Sequence, residues 1–109
     1  MAQSTPKPYR NLEQNVGPGL TISVDTIPLE CFNSLEYQLS VTNSDESLRK
    51  SLKLFVQKTD TDVEDTLFSK LGDPIQIEVS SEKVGQNLEI RVKNNEAYQL
   101  KANLLRLLN

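Results

Sequence analysis

The chain has 109 residues, 37% hydrophobic and 25% charged, a size and composition that suit one folded domain with a single core and exclude wholesale disorder. Its 12 Lys and Arg against 15 Asp and Glu give a net charge of -3 without a long block of either sign, so the clustered positive charge that binds nucleic acid is missing. There is no histidine and only one cysteine, which excludes an internal disulfide, a Cys-based zinc cage and any nucleophile activated by histidine.

Residues 1–19 contain Pro6, Pro8 and Pro18 with Gly17 and Gly19, and show no sustained periodicity, which predicts an extended N-terminal arm. Residues 1–10 lack the apolar core of an export signal, and no apolar run reaches the roughly 20 residues of a membrane helix. Synthesis and assembly in a cytoplasm, with no membrane partner, are the expectation.

From Leu20 onward every second residue tends to be apolar, the period of a half-buried strand. Leu20, Ile22 and Val24 open the series, and Leu35, Tyr37, Leu39 and Val41 continue it. Leu52, Leu54 and Val56 follow, then a less regular stretch with Val63, Leu67, Phe68 and Leu71. Ile75, Ile77 and Val79, then Leu88, Ile90 and Val92, complete the clear runs. Turn-forming residues separate them: Asn43-Ser44-Asp45, Asp60-Thr61-Asp62, Gly72-Asp73-Pro74, Gly85-Gln86-Asn87 and Asn94-Asn95. Residues 44–48 suit a helical turn or a hairpin loop, and the strong alternation on either side favours the loop. Residues 96–108 contain good helix formers, but Tyr98, Leu100, Ala102 and Leu104 alternate, so a final strand is preferred to a short helix. The expected fold is all-β: a mainly antiparallel β-sandwich of about seven strands over residues 20–109, preceded by the arm at 1–19.

Several short sets invite chemistry, and each has a plainer reading. Asp60, Asp62, Glu64 and Asp65 offer oxygens to calcium, yet lack the glycine and distant glutamate of an EF-hand loop, and a solvated turn is expected. The same carboxylates have no aromatic sugar platform to serve glycoside hydrolysis. Cys31 beside Phe32 reads as a small buried hydrophobe, Gly17-Pro18-Gly19 as a bend, and Arg49, Lys50 and Lys53 as a solvated basic group. No cofactor or metal is expected, and no enzyme. In the arm, Tyr9, Leu12 and Val16 are apolar or amphipathic residues in a segment too short to build its own core. They are candidate anchors on a neighbouring subunit, with Lys7 and Arg10 pairing with its carboxylates; a frayed terminus is the alternative.

An ordered set of features links the chain to a known group. Val24-Asp25-Thr26-Ile27 precedes Ser34-Leu35-Glu36-Tyr37-Gln38-Leu39-Ser40-Val41, followed after a polar loop by Arg49-Lys50-Ser51-Leu52-Lys53-Leu54-Phe55-Val56. Thr66-Leu67-Phe68-Ser69-Lys70-Leu71-Gly72 places an aromatic shortly before a glycine, and Ile75 to Val79, Gly85 to Val92 and Leu105-Arg106-Leu107 close the series. In this order the features resemble a β-sandwich module of structural proteins in tailed-bacteriophage virions, including head-decoration, neck and fibre-associated proteins. The sequence departs from that pattern in having no tryptophan and few aromatics. The resemblance implies a non-enzymatic virion component present in many copies. The first expectation is a capsid decoration or cement protein bound to the major capsid protein. A neck, tail or fibre component, in contact with other virion proteins or further copies of itself, is the alternative. A carbohydrate-binding sandwich is a third reading, ill served by the scarcity of aromatics.

Overall fold

The computed structural model describes Tyr9, Arg10 and residues 13–108. Within them the alternating runs form seven long strands, β3 (Thr21–Pro28), β4 (Ser34–Asn43), β5 (Arg49–Lys58), β6 (Val63–Gly72), β7 (Ile77–Val84), β8 (Asn87–Asn94) and β9 (Leu100–Leu108). Two short strands of the arm precede them, β1 (Tyr9–Arg10) and β2 (Gln14–Val16), and a 3-10 turn, Leu29–Cys31, follows β3. Every pairing is antiparallel. The larger sheet runs β9, β4, β5, β6, with β1 and β2 laid one after the other along the outer edge of β9; the smaller runs β3, β8, β7.

The expected all-β sandwich, its strands and its final strand in place of a helix are what the structure shows. The period-two rows account for the core. Leu35, Tyr37, Leu39 and Val41 of β4, Leu52, Leu54 and Val56 of β5 and Leu100, Ala102 and Leu104 of β9 meet Val24 and Ile27 of β3 and Leu88, Ile90 and Val92 of β8. Full burial of each aliphatic side chain contributes roughly 1.5–3 kcal/mol, which makes this shared layer the main source of cohesion between the sheets. Residues 44–48 form the hairpin loop. Asn43 Oδ1 accepts from the Leu48 amide at 3.0 Å, and Asp45 Oδ1 accepts from the Ser47 hydroxyl at 2.7 Å and its amide at 3.1 Å. These hydrogen bonds, the hydroxyl's first, hold the Asp45 carboxyl below its ordinary pKa.

Three details depart from uninterrupted alternation. Leu20 does not enter the core; it is 58% exposed, ahead of β3. In β3 the register slips between Ser23 and Asp25, so that Val24 and Asp25 together oppose Ile90, a β-bulge. The bulge explains why the buried positions of β3 are Val24 and Ile27, three apart, and why Asp25 turns inward instead of outward. Ile75 is buried although it lies in the connection before β7.

Both ends of the inward row of β5 carry a lysine, and the expected solvated basic group is thereby divided. Lys50 donates its Nζ to the Ile75 carbonyl at 2.9 Å, and Lys58 donates to the Leu29 carbonyl at 2.7 Å while standing 5.6 Å from the Phe32 ring centroid. Each long stem lies along apolar surface and its ammonium closes one end of the sandwich. Lys53 points the other way, toward Glu36 at 3.8 Å, and Arg49 lies at the surface near Glu46.

Candidate functional site

The arm residues singled out by sequence are placed as follows. Tyr9 and Arg10 pair through their backbone with Arg106 and Leu105 of β9, and Leu12 lies outside the described residues. Val16 pairs with Leu100 and is completely buried in this chain's own core. Its side chain therefore presents nothing to a neighbour in this conformation. Its carbonyl accepts from Nδ2 of Asn94 at 2.9 Å.

Asn94 is the only polar residue among the described ones whose side chain sits wholly in the core. The second Nδ2 hydrogen goes to the Tyr98 carbonyl at 2.8 Å, Oδ1 accepts from the Glu96 amide at 2.7 Å, and the backbone amide and carbonyl bond to Leu20 and Gly19 at 2.9 Å each. One residue thus ties together the end of the arm, the start of β3 and the β8–β9 connection. The preceding bend is made at Gly17–Leu20, where the Leu20 amide donates to the Gly17 carbonyl at 3.1 Å. This accounts for Gly17-Pro18-Gly19 without a ligand.

A second polar centre joins the sheets. The Tyr37 hydroxyl of β4 donates to Oδ2 of Asp25 at 2.8 Å, and Nη1 of Arg106 in β9 donates to the same carboxylate at 3.0 Å and 3.3 Å. Tyr37 and Arg106 are directly opposite each other in the β4–β9 register, and the bulge in β3 delivers Asp25 to them from the other sheet. The Asp25 side chain is 6% exposed and that of Arg106 13%, so their attraction is little screened by water. Burial pushes the Tyr37 phenol above the ordinary tyrosine range and the Asp25 carboxylate adds to the rise, while Arg106 acts in the opposite sense. Chemically the trio is a cross-tie: the carboxylate accepts from both neighbours, and the phenol is held protonated.

The other candidate groups are spread apart. Asp62 Oδ1 accepts from the Val63 amide at 2.8 Å, Asp65 accepts from the Ser81 hydroxyl, and no set of three or more His, Cys, Asp or Glu side chains converges on a metal position among the described residues. Cys31 is half-buried beside the core, with Phe32 buried next to it. Of the aromatics, Tyr37 and Phe32 are core residues, while Phe55 and Phe68 lie on the outer face of β5 and β6.

What sequence reasoning missed is the exposure of β6. Among the described residues it pairs only with β5, and of its 10 residues only Val63 and Leu67 are even partly buried. It carries Phe68 and Leu71, which are 36% and 71% exposed. The signal was the loss of alternation between Val63 and Leu71, as expected of a strand with little of either face in the core.

Neither a protein-family model nor a curated protein matches the chain. Among solved structures it is similar to the tailspike protein gp49 of Acinetobacter baumannii bacteriophage Fri1, a capsular polysaccharide depolymerase, with a TM-score of 0.46 and 17% identity over 91% of this chain and 17% of that one. It is also similar to the tailspike of Acinetobacter baumannii phage AM24, with a TM-score of 0.42 and 8% identity over 91% of this chain and 25% of that one. The chain spans at most 25% of the length of either tailspike.

Proposed function

We propose that this chain is a non-catalytic structural module of a bacteriophage virion, placed in the tail, neck or fibre and held there by protein–protein contacts. The observation that carries the reading is the fit between the ordered sequence features and the strands. Ser34 to Val41 lies in β4, Arg49 to Val56 in β5, Thr66 to Gly72 in β6, Gly85 to Val92 leads into β8, and Leu105 to Leu107 lies in β9. The features that resemble the virion module thus act together as one sandwich.

The conspicuous polar groups are turned to internal ties, which supports a structural role over a catalytic one. The position in the tail is favoured over decoration of the capsid for a local reason. A shell-gripping arm would need its apolar residues free, whereas Val16 is committed to the core and β1 and β2 extend the chain's own sheet.

Quantitative mass spectrometry of purified virions tests this. A few to tens of copies per particle is the expected result. Hundreds of copies would move the chain to the shell, and its absence from particles would overturn the virion reading altogether.

A further inference from the structure

We propose that the outer edge of β9 is a strand-exchange site, on which a second copy of this chain seats its own β1 and β2 once a hinge at Gly19 opens. The inference goes beyond the proposed function and is read on the isolated chain, so it stands or fails separately from the virion assignment.

The occupant is identified by what the edge already holds. Gln14, Asn15 and Val16 pair with Ala102, Lys101 and Leu100, and Tyr9 and Arg10 pair with Arg106 and Leu105. The seat takes an extended strand whose valine is buried opposite Leu100 and whose carbonyl accepts from Asn94 Nδ2. A second copy brings that same strand, and Val16 again ends in a core of this fold. The body keeps its other pairings without the arm, because β9, β4, β5 and β6 form one continuous path and β3, β8 and β7 another. Of residues 13–16 only Val16 is buried, so the arm can leave at a cost well below that of unfolding the sandwich.

The connection between arm and body reverses at one residue. Residues 17–20 have the pattern of a type II turn, with Pro18 second, Gly19 third at a φ of 73°, and the Leu20 amide donating to the Gly17 carbonyl at 3.1 Å. Pro18 is extended in such a turn, and a residue before proline favours the extended region as well, so the left-handed Gly19 makes the reversal. Returning Gly19 to a negative φ straightens the connection and carries the arm away from its own β9. It also brings Leu20, exposed in the closed turn, into line with Ile22 and Val24 of β3. Closed and exchanged forms make the same contacts on β9 and differ at this hinge. Seating within one chain has the advantage of an effective concentration of about 1 mM or above, so exchange is expected as chains approach that density or when the turn is penalised.

Two single-cysteine chains in a Cys31→Ser background test this, one with Asn15→Cys and the other with Lys101→Cys, positions directly opposite each other in β2 and β9. Mixed at about 1 mM and oxidised, they should give the mixed disulfide dimer in clear excess over both homodimers. The two substitutions in one dilute chain should close a disulfide within that chain, and failure to close removes the seat and the proposal with it. Gly19→Val penalises the turn alone: nothing lies within 4 Å of an added Cβ, and a β-branched residue resists a positive φ. It should lower the concentration at which dimers form at least about tenfold in sedimentation equilibrium, with the mixed disulfide forming at that lower concentration. A Gly19→Val chain that stays monomeric and only loses hydrogen-exchange protection in its arm overturns the proposal. So does a mixed dimer no more abundant than chance collision gives.

Discussion

Asn94 and Val16 are 78 positions apart and joined by a single buried hydrogen bond of 2.9 Å, from the Asn94 side-chain amide to the Val16 carbonyl. The other Asn94 hydrogen and its oxygen are also engaged, so both donors and the acceptor atom of the side chain serve the tie. Asn94→Asp is the sharpest perturbation. It keeps the shape but turns an oxygen toward two carbonyl oxygens, and we expect a loss of about 3 kcal/mol or more at neutral pH. Protonation supplies one donor again, so the folded-state pKa of that carboxyl is raised. The variant is then relatively most stable below the unfolded carboxyl pKa of about 4 and loses that advantage as pH rises through the raised folded value. Urea melts at several pH values check this; an Asn94→Asp chain as stable as wild type at pH 7 would show that the buried amide is not a structural tie.

The Tyr37–Asp25–Arg106 cross-tie predicts two different costs. Tyr37→Phe removes one donor and leaves Asp25 with Arg106, costing about 1–2 kcal/mol. Arg106→Met leaves a carboxylate in the core without its counter-charge and should cost about 3–5 kcal/mol. The phenol also sets an alkaline limit. Its folded pKa lies above the unfolded value, so the stability it brings is complete below about pH 10 and is lost as pH rises beyond that. Stability measured between neutral pH and pH 11 should fall in the wild type and fall less in Tyr37→Phe. Equal slopes would remove Tyr37 as the cause.

Legibility in the sequence followed packing. Strands such as β4, β5 and β8 put one face wholly into the core, and their alternating residues announced them. Alternation failed where a bulge intervened in β3, where the strand left the core in β6, and where β2, with 3 residues, was too short to show a period. The polar ties were harder still to see. Asp25 is carried inward by a bulge, Arg106 occupies an inward place in a row of leucine and alanine, and Asn94 stands in a turn-like Asn-Asn pair. Asp25 meets Tyr37 and Arg106 across the two sheets and Asn94 reaches Val16 in the arm, and no local pattern encodes contacts of that span.

The lysines at the two ends of β5 should act independently. Lys58→Met loses a charge-assisted hydrogen bond to the Leu29 carbonyl and the approach to Phe32, and Lys50→Met loses the bond to the Ile75 carbonyl. Each should cost about 1–2 kcal/mol, with the methionine stem preserving most of the packing. The two sites lie at opposite ends of one strand and share no partner, so the double variant should show the sum of the single effects within about 0.5 kcal/mol. Strong coupling in a double-mutant cycle would mean that the ends of the sandwich open together.

Gly72 ends β6 with a φ of 102°, a conformation that side chains other than glycine's rarely take. A Cβ there would also collide with the backbone carbonyl of Arg49, the group that accepts from the Asp73 amide at 2.7 Å. The Arg49 amide returns a bond to the Asp73 carboxylate at 2.8 Å, so the clash falls on a reciprocal pair that anchors the chain as it leaves the larger sheet. Gly85 separates the two effects, since its φ of 61° is also left-handed but nothing lies within 4 Å of an added Cβ. Gly85→Ala should cost about 1 kcal/mol, the conformational part alone. Gly72→Ala should cost about 3 kcal/mol or more, because the carbonyl cannot move without breaking its own bond. Paired thermal melts of the two variants measure the difference directly, and equal losses would place the whole penalty in φ and none in the close approach to Arg49.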